Sequence, residues 1–179
     1  AVPWQQASPG SGRAEPAGPG IGVLVPIAPS TPGNGLAHRA RAWLRAAAQV
    51  GRVVTVLVPT HGPAVAGDHH LVPLVTPRAA DHRLPPRAAQ APEGHGRWWA
   101  RGRPPLDLIV ALGADLGPFA LGVAAAMGGA PVVVDLDDDL VSFHRSRGDL
   151  DAADRYGLVV DEIRRRADAM ASVAGFGAS

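Results

Sequence analysis

The sequence predicts an α/β domain in which a mostly parallel sheet lies between two layers of helices. Apolar runs of strand length alternate with helical segments along the chain, an order typical of parallel sheets. The runs are continuous and rich in Val, Leu and Ile, as in strands buried on both faces. The first of them, Ile21–Ile27, opens directly into a Gly- and Pro-rich turn and then an amphipathic helix. Together these observations predict a Rossmann-like three-layer sandwich.

The N-terminal region differs in composition from the rest of the chain. Residues 1–20 are rich in Pro, Gly, Ser and Ala without any period, which predicts a disordered leader before a domain that spans residues 21–179. The run Gly18-Pro19-Gly20-Ile21-Gly22 is interpreted as a linker, because its glycines precede the first strand instead of following it. Further strands are predicted at Val53–Val58, Leu71–Val75, Leu106–Leu112, Pro131–Asp135 and Ala171–Ala174.

Three helices are predicted between these strands. Gly35–Val50 has its apolar residues at helical spacing, with Asn34 placed to cap its start and Gly51 just beyond its end. Gly117–Met127 is apolar on every side, so we expect it to lie between the sheet and another surface. The last helix is predicted at Leu150–Ala169.

The segment Thr76–Pro105 shows no clear period. It mixes Pro, Arg and His, which predicts a long irregular connection with room for one short helix. Within it, Trp98 and Trp99 are interpreted as a packing anchor and not as a stacking platform.

Composition excludes several classes of chemistry. The chain has no cysteine, which rules out disulfides, thiolate zinc sites and cysteine nucleophiles. All 17 basic residues are Arg, so a lysine-dependent phosphate loop or Schiff base is impossible. The formal charge of +1 and the low aromatic content argue against a nucleic-acid partner. No apolar run is long enough to span a bilayer and no secretion signal is seen, so we expect a cytoplasmic protein, with peripheral membrane association left open.

The turn Pro32-Gly33-Asn34-Gly35 is the first candidate binding site. It follows a buried strand and precedes a helix, so backbone amides and the positive end of the helix dipole converge there. Arg39 lies early in the helix, where a cation is unfavourable unless an anion is bound nearby. The pattern predicts a phosphate or carboxylate site. The alternative is a tight turn in which Arg39 reaches solvent or one of the residues Asp137–Asp139.

The acidic loop after the fifth predicted strand is the second candidate site. Asp135, Asp137, Asp138 and Asp139 are close in sequence, so their like charges need water, a cation or arginines around them. A divalent metal site, a general base and recognition of sugar hydroxyls are all compatible with this pattern. The alternative is a solvated loop that caps the following helix. His144 lies shortly beyond and completes the cluster.

These segments resemble the N-terminal half of a GT-B glycosyltransferase, most closely the retaining, family-4-like group. The resemblance extends over about residues 21–179. The residues that carry it are Val23–Pro26 with Pro29–Gly35 and Arg39, then Pro104–Pro118, Gly129–Asp138 and Ala167–Ala169.

The resemblance implies a role for each candidate residue. Gly33, Asn34 and Gly35 would lie beside the phosphates of a nucleotide-sugar donor. On the acceptor side would lie Arg39, Asp135, Asp137, Asp138 and His144, with Asp135 and Asp138 as catalytic candidates. Many family members have a histidine in the loop that is acidic here. The donor serves as co-substrate of a hydroxyl acceptor, and no cofactor or metal is expected.

The resemblance also implies that a C-terminal donor-binding domain is missing from these 179 residues. We therefore expect the chain to be inactive by itself and to need that domain or a separately encoded partner chain. The alternative is a non-catalytic Rossmann-like module that binds a ligand or a partner, with the apolar helix Gly117–Met127 as its interface.

Overall fold

The structure is a computed structural model that describes residues 18–58, 70–71, 90–136 and 138–172. Its strands are β1 (Gly20–Val25), β2 (Arg52–Leu57), β3 (His70–Leu71), β4 (Leu108–Leu112), β5 (Val132–Leu136) and β6 (Ala169–Ser172). Its helices are α1 (Gly35–Val50), α2 (Gln90–Ala100), α3 (Gly117–Ala126), α4 (Leu140–Ser146) and α5 (Leu150–Arg166), and a 3-10 turn at Ala114–Leu116 precedes α3.

All six strands belong to one parallel sheet, in the order β3-β2-β1-β4-β5-β6. This is the strand order of doubly wound Rossmann sheets, in which the direction of winding reverses between β1 and β4. The predicted α/β, Rossmann-like class is therefore confirmed. In sheets of this order, ligands bind in a crevice beyond the carboxyl ends of the strands where the winding reverses. We call this place, beyond the ends of β1 and β4, the switch-point crevice.

Helices cover both faces of the sheet, because successive strand residues point to opposite sides. On one face, Val23 and Val110 pack with residues of α1. On the other, Leu24 and Ile109 belong to a core that includes residues of α2, α3 and α5. Gly22 leaves space on this second face for Leu106, since a β-carbon at Gly22 would lie 2.6 Å from the Leu106 Cδ1 atom.

Helix α3 is buried throughout its first eight residues, as its apolar sequence predicts. Its outer side is covered by α2, and two glycines let the helices approach closely. A β-carbon at Gly122 would lie 2.0 Å from the carbonyl oxygen of Glu93, and one at Gly96 would lie 2.1 Å from that of Phe119. The other surface expected beside this helix is therefore α2.

An ion-pair network links α2 to α5. The carboxylate of Glu93 accepts hydrogen bonds from both terminal nitrogens of Arg166, each at 3.0 Å, and another from Arg97. The hydrogen bond from Arg166, followed by that from Arg97, lowers the pKa of Glu93 against the opposing effect of burial. Because Arg166 is the last residue of α5, its charge also suits the helix C-terminus.

Two aspartates fix the register of neighbouring strands where those strands begin. Asp107 accepts from the Gly20 amide at 2.7 Å, and its own amide donates to the Gly20 carbonyl at 2.7 Å. Asp168 repeats this reciprocal arrangement with Val132, at 2.8 and 2.9 Å. Each aspartate therefore satisfies a strand-end amide that would otherwise lack a partner.

The structure corrects several predicted boundaries. Strand β1 begins at Gly20, so the run Gly18–Gly22 is in part a strand and not a linker. Helix α5 ends at Arg166 and not at Ala169, because Asp168 is already committed to β5. Helix α4 is missing from the prediction, which left that segment without a helix or strand.

Some predictions fall beyond the described residues. These are the leader up to residue 17, most of the strand predicted at Leu71–Val75, and the end of the strand predicted at Ala171–Ala174. Within the described residues, no helix is both long and apolar enough to cross a membrane.

Candidate functional site

The switch-point crevice is bordered by two backbone segments with unusual glycines. Gly33, in the turn after β1, has φ of 67°, and Gly113, directly after β4, has φ of 92°. Residues that carry a side chain rarely adopt such φ values, so glycine is favoured at both positions. A β-carbon at either residue would meet nothing within 4 Å, which leaves open space beside the backbone.

The N-terminus of α1 forms one wall of this crevice. Asn34 caps the helix as predicted, since its side-chain oxygen accepts from the amide of Ala37 at 3.0 Å. The first turn contains no acidic residue, so α1 itself supplies no carboxylate that would neutralise the positive end of its dipole. The guanidinium of Arg41 donates to the carbonyl of Pro29, which holds the preceding loop against the helix.

Arg39 and Asp135 form a bidentate ion pair. The Nε and Nη2 atoms of Arg39 donate to the two carboxylate oxygens of Asp135. Arg39 belongs to α1 and Asp135 to β5, and β4 lies between β1 and β5 in the sheet. The ion pair therefore reaches across the switch point on the α1 side of the sheet.

A tryptophan completes the surroundings of Asp135. The indole Nε1 of Trp43 donates to Asp135 Oδ2 at 2.5 Å, so the carboxylate accepts from three donors. The Asp135 side chain is 0% exposed, whereas that of Arg39 is 22% exposed. A buried carboxylate is tolerated only when it is paired and hydrogen-bonded, and this one is both. Sequence reasoning placed Trp43 only on the apolar face of α1 and missed this contact, because only its helical spacing was considered.

This geometry bears on the predictions for Arg39 and Asp135. The anion site was predicted to use the positive charge of Arg39, and that charge is committed to Asp135. The alternative for Arg39 named solvent or one of Asp137–Asp139. The structure pairs Arg39 with the buried Asp135, and Asp137 lies outside the described residues. Asp135 has no exposed surface through which to touch a substrate. Its catalytic role remains a prediction, and its observed contacts are those of a residue that orients Arg39.

Two further residues of the acidic loop, Asp138 and Asp139, are both exposed. Asp139 caps α4, because its Oδ1 accepts from the amide of Ser142 at 3.0 Å. Hydrogen bonds from the hydroxyl and then the amide of Ser142 lower the pKa of Asp139. The predicted substrate contact Asp137 lies outside the described residues.

His144 lies in α4 and packs on α5. Its ring stacks on Tyr156 with centroids 5.3 Å apart, and its Nδ1 is 3.6 Å from Asp149 Oδ2. The Tyr156 hydroxyl lies 3.4 Å from Asp115 Oδ2, next to the 3-10 turn that follows β4. Burial, followed by the negative charge of Asp115, raises the pKa of Tyr156. These contacts connect the acidic loop to the crevice wall formed after β4, and sequence reasoning missed both Tyr156 and Asp115.

Among residues 18–58, 90–136 and 138–172, no three His, Asp or Glu side chains lie together in a way that could hold a metal ion.

Comparisons with known proteins give a distant structural likeness. No protein-family model and no curated protein matches the chain. A solved structure described as an alpha-glucosyltransferase in complex with UDP and a 13-mer DNA containing a HMU base is similar at 16% identity and a TM-score of 0.43. The likeness covers 87% of this chain, which spans 38% of the length of that protein. Strand order and register, and not this likeness, identify the fold as Rossmann-like.

Proposed function

We propose that this domain is the acceptor-side half of a GT-B glycosyltransferase, related to the retaining, family-4-like group. It would help transfer a sugar from a nucleotide-sugar donor to a hydroxyl acceptor. The observation that carries the proposal is the switch-point crevice, where Gly33 and Gly113 have positive φ and open space beside them. A phosphate can approach such backbone closely, because no β-carbon intervenes. Rossmann-type sheets bind nucleotides at this place.

The donor phosphates would contact the turn that begins α1. The free amides of the first helical turn and the helix dipole both favour negative charge. Gly35 has open space where a side chain would project, so a ligand can reach its amide. Asn34 uses its side chain to cap the helix and would contribute through its backbone. Gly33 would complete this phosphate-binding turn.

The acceptor would bind on the side of the acidic loop. Asp138 is exposed, so its carboxylate can reach an acceptor hydroxyl. Asp135 would act as a positioning residue, because it fixes the guanidinium of Arg39 beside the crevice. His144 would contribute its imidazole next to Tyr156. Asp137 is assigned to the same acceptor side by the resemblance alone.

The reaction would be an attack of the acceptor hydroxyl oxygen on the anomeric carbon of the donor sugar. The new C–O bond forms as the bond from that carbon to the phosphate oxygen breaks. The nucleoside diphosphate leaves with the electron pair, and its departing oxygen takes up the hydroxyl proton. Amides preorganised around the leaving group would stabilise its growing charge without a metal ion. A donor-binding domain or partner chain would hold the nucleotide, so we expect no turnover from these 179 residues by themselves.

A titration tests the donor site. UDP-glucose and GDP-mannose are added to the unmodified chain and to the Gly35→Val variant, with binding followed by calorimetry. We expect at least one donor to bind the unmodified chain and to lose at least tenfold in affinity when the valine side chain fills the open space. The matched control is Gly94→Val in α2, also at an exposed glycine with open space, which should bind as the unmodified chain does. Failure of both donors to bind, or equal affinity of both variants, would remove the turn from the proposal.

One observation favours a second candidate function, a module that binds a ligand or partner without chemistry. Asp135, one of the two catalytic candidates, is sealed by Arg39 and Trp43. The Asp138→Asn variant distinguishes the two functions once the chain is combined with a donor-binding partner. Loss of sugar transfer with unchanged donor affinity supports the enzyme, whereas binding with no transfer in any combination supports the module.

A further inference from the structure

The turn that joins α2 to β4 contains a second candidate binding site. It leads into the amino end of β4, so it lies at the edge of the sheet opposite the switch-point crevice. A cavity of about 300 Å³ is lined there by Trp98, Trp99, Arg101 and Arg103. Between the two arginines, Gly102 adopts φ of 71°, which reverses the chain direction directly after the helix.

Both arginines of this turn carry positive charge without a carboxylate partner in the described part of the chain. Arg101 and Arg103 form no ion pair there, whereas Arg97, one helical turn before Arg101, is paired with Glu93. Uncompensated guanidinium groups beside a cavity favour an anionic ligand, and their fork geometry suits phosphate oxygens.

Arg103 is held in place before any ligand arrives. Its Nε donates to the carbonyl of Trp99 at 2.8 Å, and its guanidinium carbon lies 4.6 Å from the centre of the Trp99 ring. These contacts fix the plane of the guanidinium and engage only its Nε as a donor. The terminal nitrogens of Arg103 form no hydrogen bond within the described residues, so they can serve a ligand.

The two tryptophans differ in a way that suits a planar ligand. Trp99 is 5% exposed and packs against Phe119, with ring centroids 6.3 Å apart. Trp98 is 65% exposed, although it lies next to the cavity, so its indole face can stack on an aromatic ring. The Trp99 Nε1 atom is buried and has no hydrogen-bond partner among the described residues. Such a donor usually has a partner, which a bound polar group or water would provide.

We infer that this turn binds a nucleotide, with the base stacked on Trp98 and the phosphate held by Arg101 and Arg103. An exposed ring beside two guanidiniums that have no carboxylate partner among the described residues matches a ligand that joins one planar ring to one phosphate group. The cavity volume lies at the lower end of the range for small-ligand pockets, which suits a mononucleotide. The same chemistry is present at the end of a nucleic-acid strand, and the test distinguishes these two sources.

The test uses the Gly35→Val chain, so that binding at the proposed donor site does not contribute. The probes are AMP, adenosine, inorganic phosphate and a single-stranded oligonucleotide of eight thymidines, followed through the indole N–H signals in NMR spectra. A Trp98→Phe variant assigns the Trp98 signal and keeps an aromatic ring. We expect AMP to shift the signals of Trp98 and Trp99 and to bind at least tenfold more tightly than adenosine or phosphate.

Variants separate the contribution of each group. Trp98→Ala and Arg101→Ala are each expected to weaken AMP binding at least fivefold, whereas Trp98→Phe retains most of the affinity. The control is Arg45→Ala, an exposed arginine of α1 on the other face of the sheet, which should leave binding unchanged. Both Trp98 and Arg101 are exposed, so these variants are expected to fold, and unchanged circular dichroism verifies it.

Three results would overturn the inference. AMP that leaves the two indole signals unchanged would show that no nucleotide binds at the turn. Phosphate that binds as tightly as AMP would reduce the site to a general anion site. An oligonucleotide that binds at least tenfold more tightly than AMP would identify an extended nucleic-acid surface and not a mononucleotide site.

Discussion

The close crossing of α2 and α3 gives the sharpest stability prediction. In the Gly122→Ala variant, the new β-carbon would lie 2.0 Å from the carbonyl oxygen of Glu93, whereas ordinary contacts begin at 3.4 Å. The helices must therefore separate by roughly the difference, about 1.4 Å, because a backbone carbonyl cannot rotate away as a side chain can. Overpacking of this kind costs about 1–3 kcal/mol, and the higher helix propensity of alanine returns up to about 1 kcal/mol.

We expect Gly122→Ala to lower the free energy of unfolding by about 2 kcal/mol, or the melting temperature by roughly 4–8 °C for a chain of this size. Urea unfolding followed by far-UV circular dichroism measures the change. The control is Gly94→Ala in α2, where the new methyl group would meet nothing within 4 Å. That substitution should stabilise the chain by about 0.5–1 kcal/mol, since it only reduces the freedom of the unfolded state.

A second variant tests whether the helix crossing is the cause. Gly96→Ala places a β-carbon 2.1 Å from the carbonyl oxygen of Phe119, at the same crossing. One separation of the helices relieves both clashes, so the double variant with Gly122→Ala should lose less stability than the sum of the single variants. Equal stability of Gly122→Ala and Gly94→Ala would refute the close approach of these helices.

Three further variants test contacts elsewhere in the fold. Asp135→Asn should cost about 3–5 kcal/mol in urea unfolding, because it removes the charge that pairs with Arg39. Asp107→Ala should cost about 1–3 kcal/mol by the same assay, because the Gly20 amide loses its acceptor. The pKa of Glu93 is lowered in the folded state. Its contribution to folding stability is therefore fully present above the usual pKa of 4.5 and is lost as the pH falls through the lower, folded-state pKa. Glu93→Gln should therefore flatten the loss of stability measured between about pH 5 and pH 2.

Each of these three predictions has a contradicting result, and the second has a matched control. If Asp135→Asn leaves the free energy of unfolding unchanged, the ion pair between Arg39 and Asp135 does not stabilise the fold. The matched control for Asp107→Ala is Asp154→Ala, an exposed aspartate of α5, and equal losses would refute the strand-register role. An unchanged pH profile in Glu93→Gln would show that the ion pair between α2 and α5 contributes nothing at acidic pH.

The sequence predicted best those features that depend on neighbouring residues. Helix α1 was predicted with both of its ends, because apolar spacing and the Asn34 cap are local signals. The complete burial of α3 follows in the same way from its composition. Helix α4 was missed because its seven residues include none that is buried, so no apolar stripe marks it in the sequence.

Contacts between residues far apart in the chain could not be predicted from local sequence patterns. Arg39 and Asp135 are 96 positions apart, so nothing near either residue identifies its partner. Trp98 and Trp99 were interpreted together as a packing anchor, which is confirmed for Trp99 alone. Consecutive helical residues point about 100° apart, so one ring is buried against α3 while the other faces solvent.

The proposed phosphate-binding turn at the start of α1 can be tested directly by NMR spectroscopy. The backbone amide signals of residues 33–36 are followed while UDP-glucose and then GDP-mannose are added to the unmodified chain. The proposed function predicts that these four signals shift together and follow one saturation curve, with the same dissociation constant for a given donor. If they stay fixed at saturating concentrations of both donors, the proposed donor site is wrong.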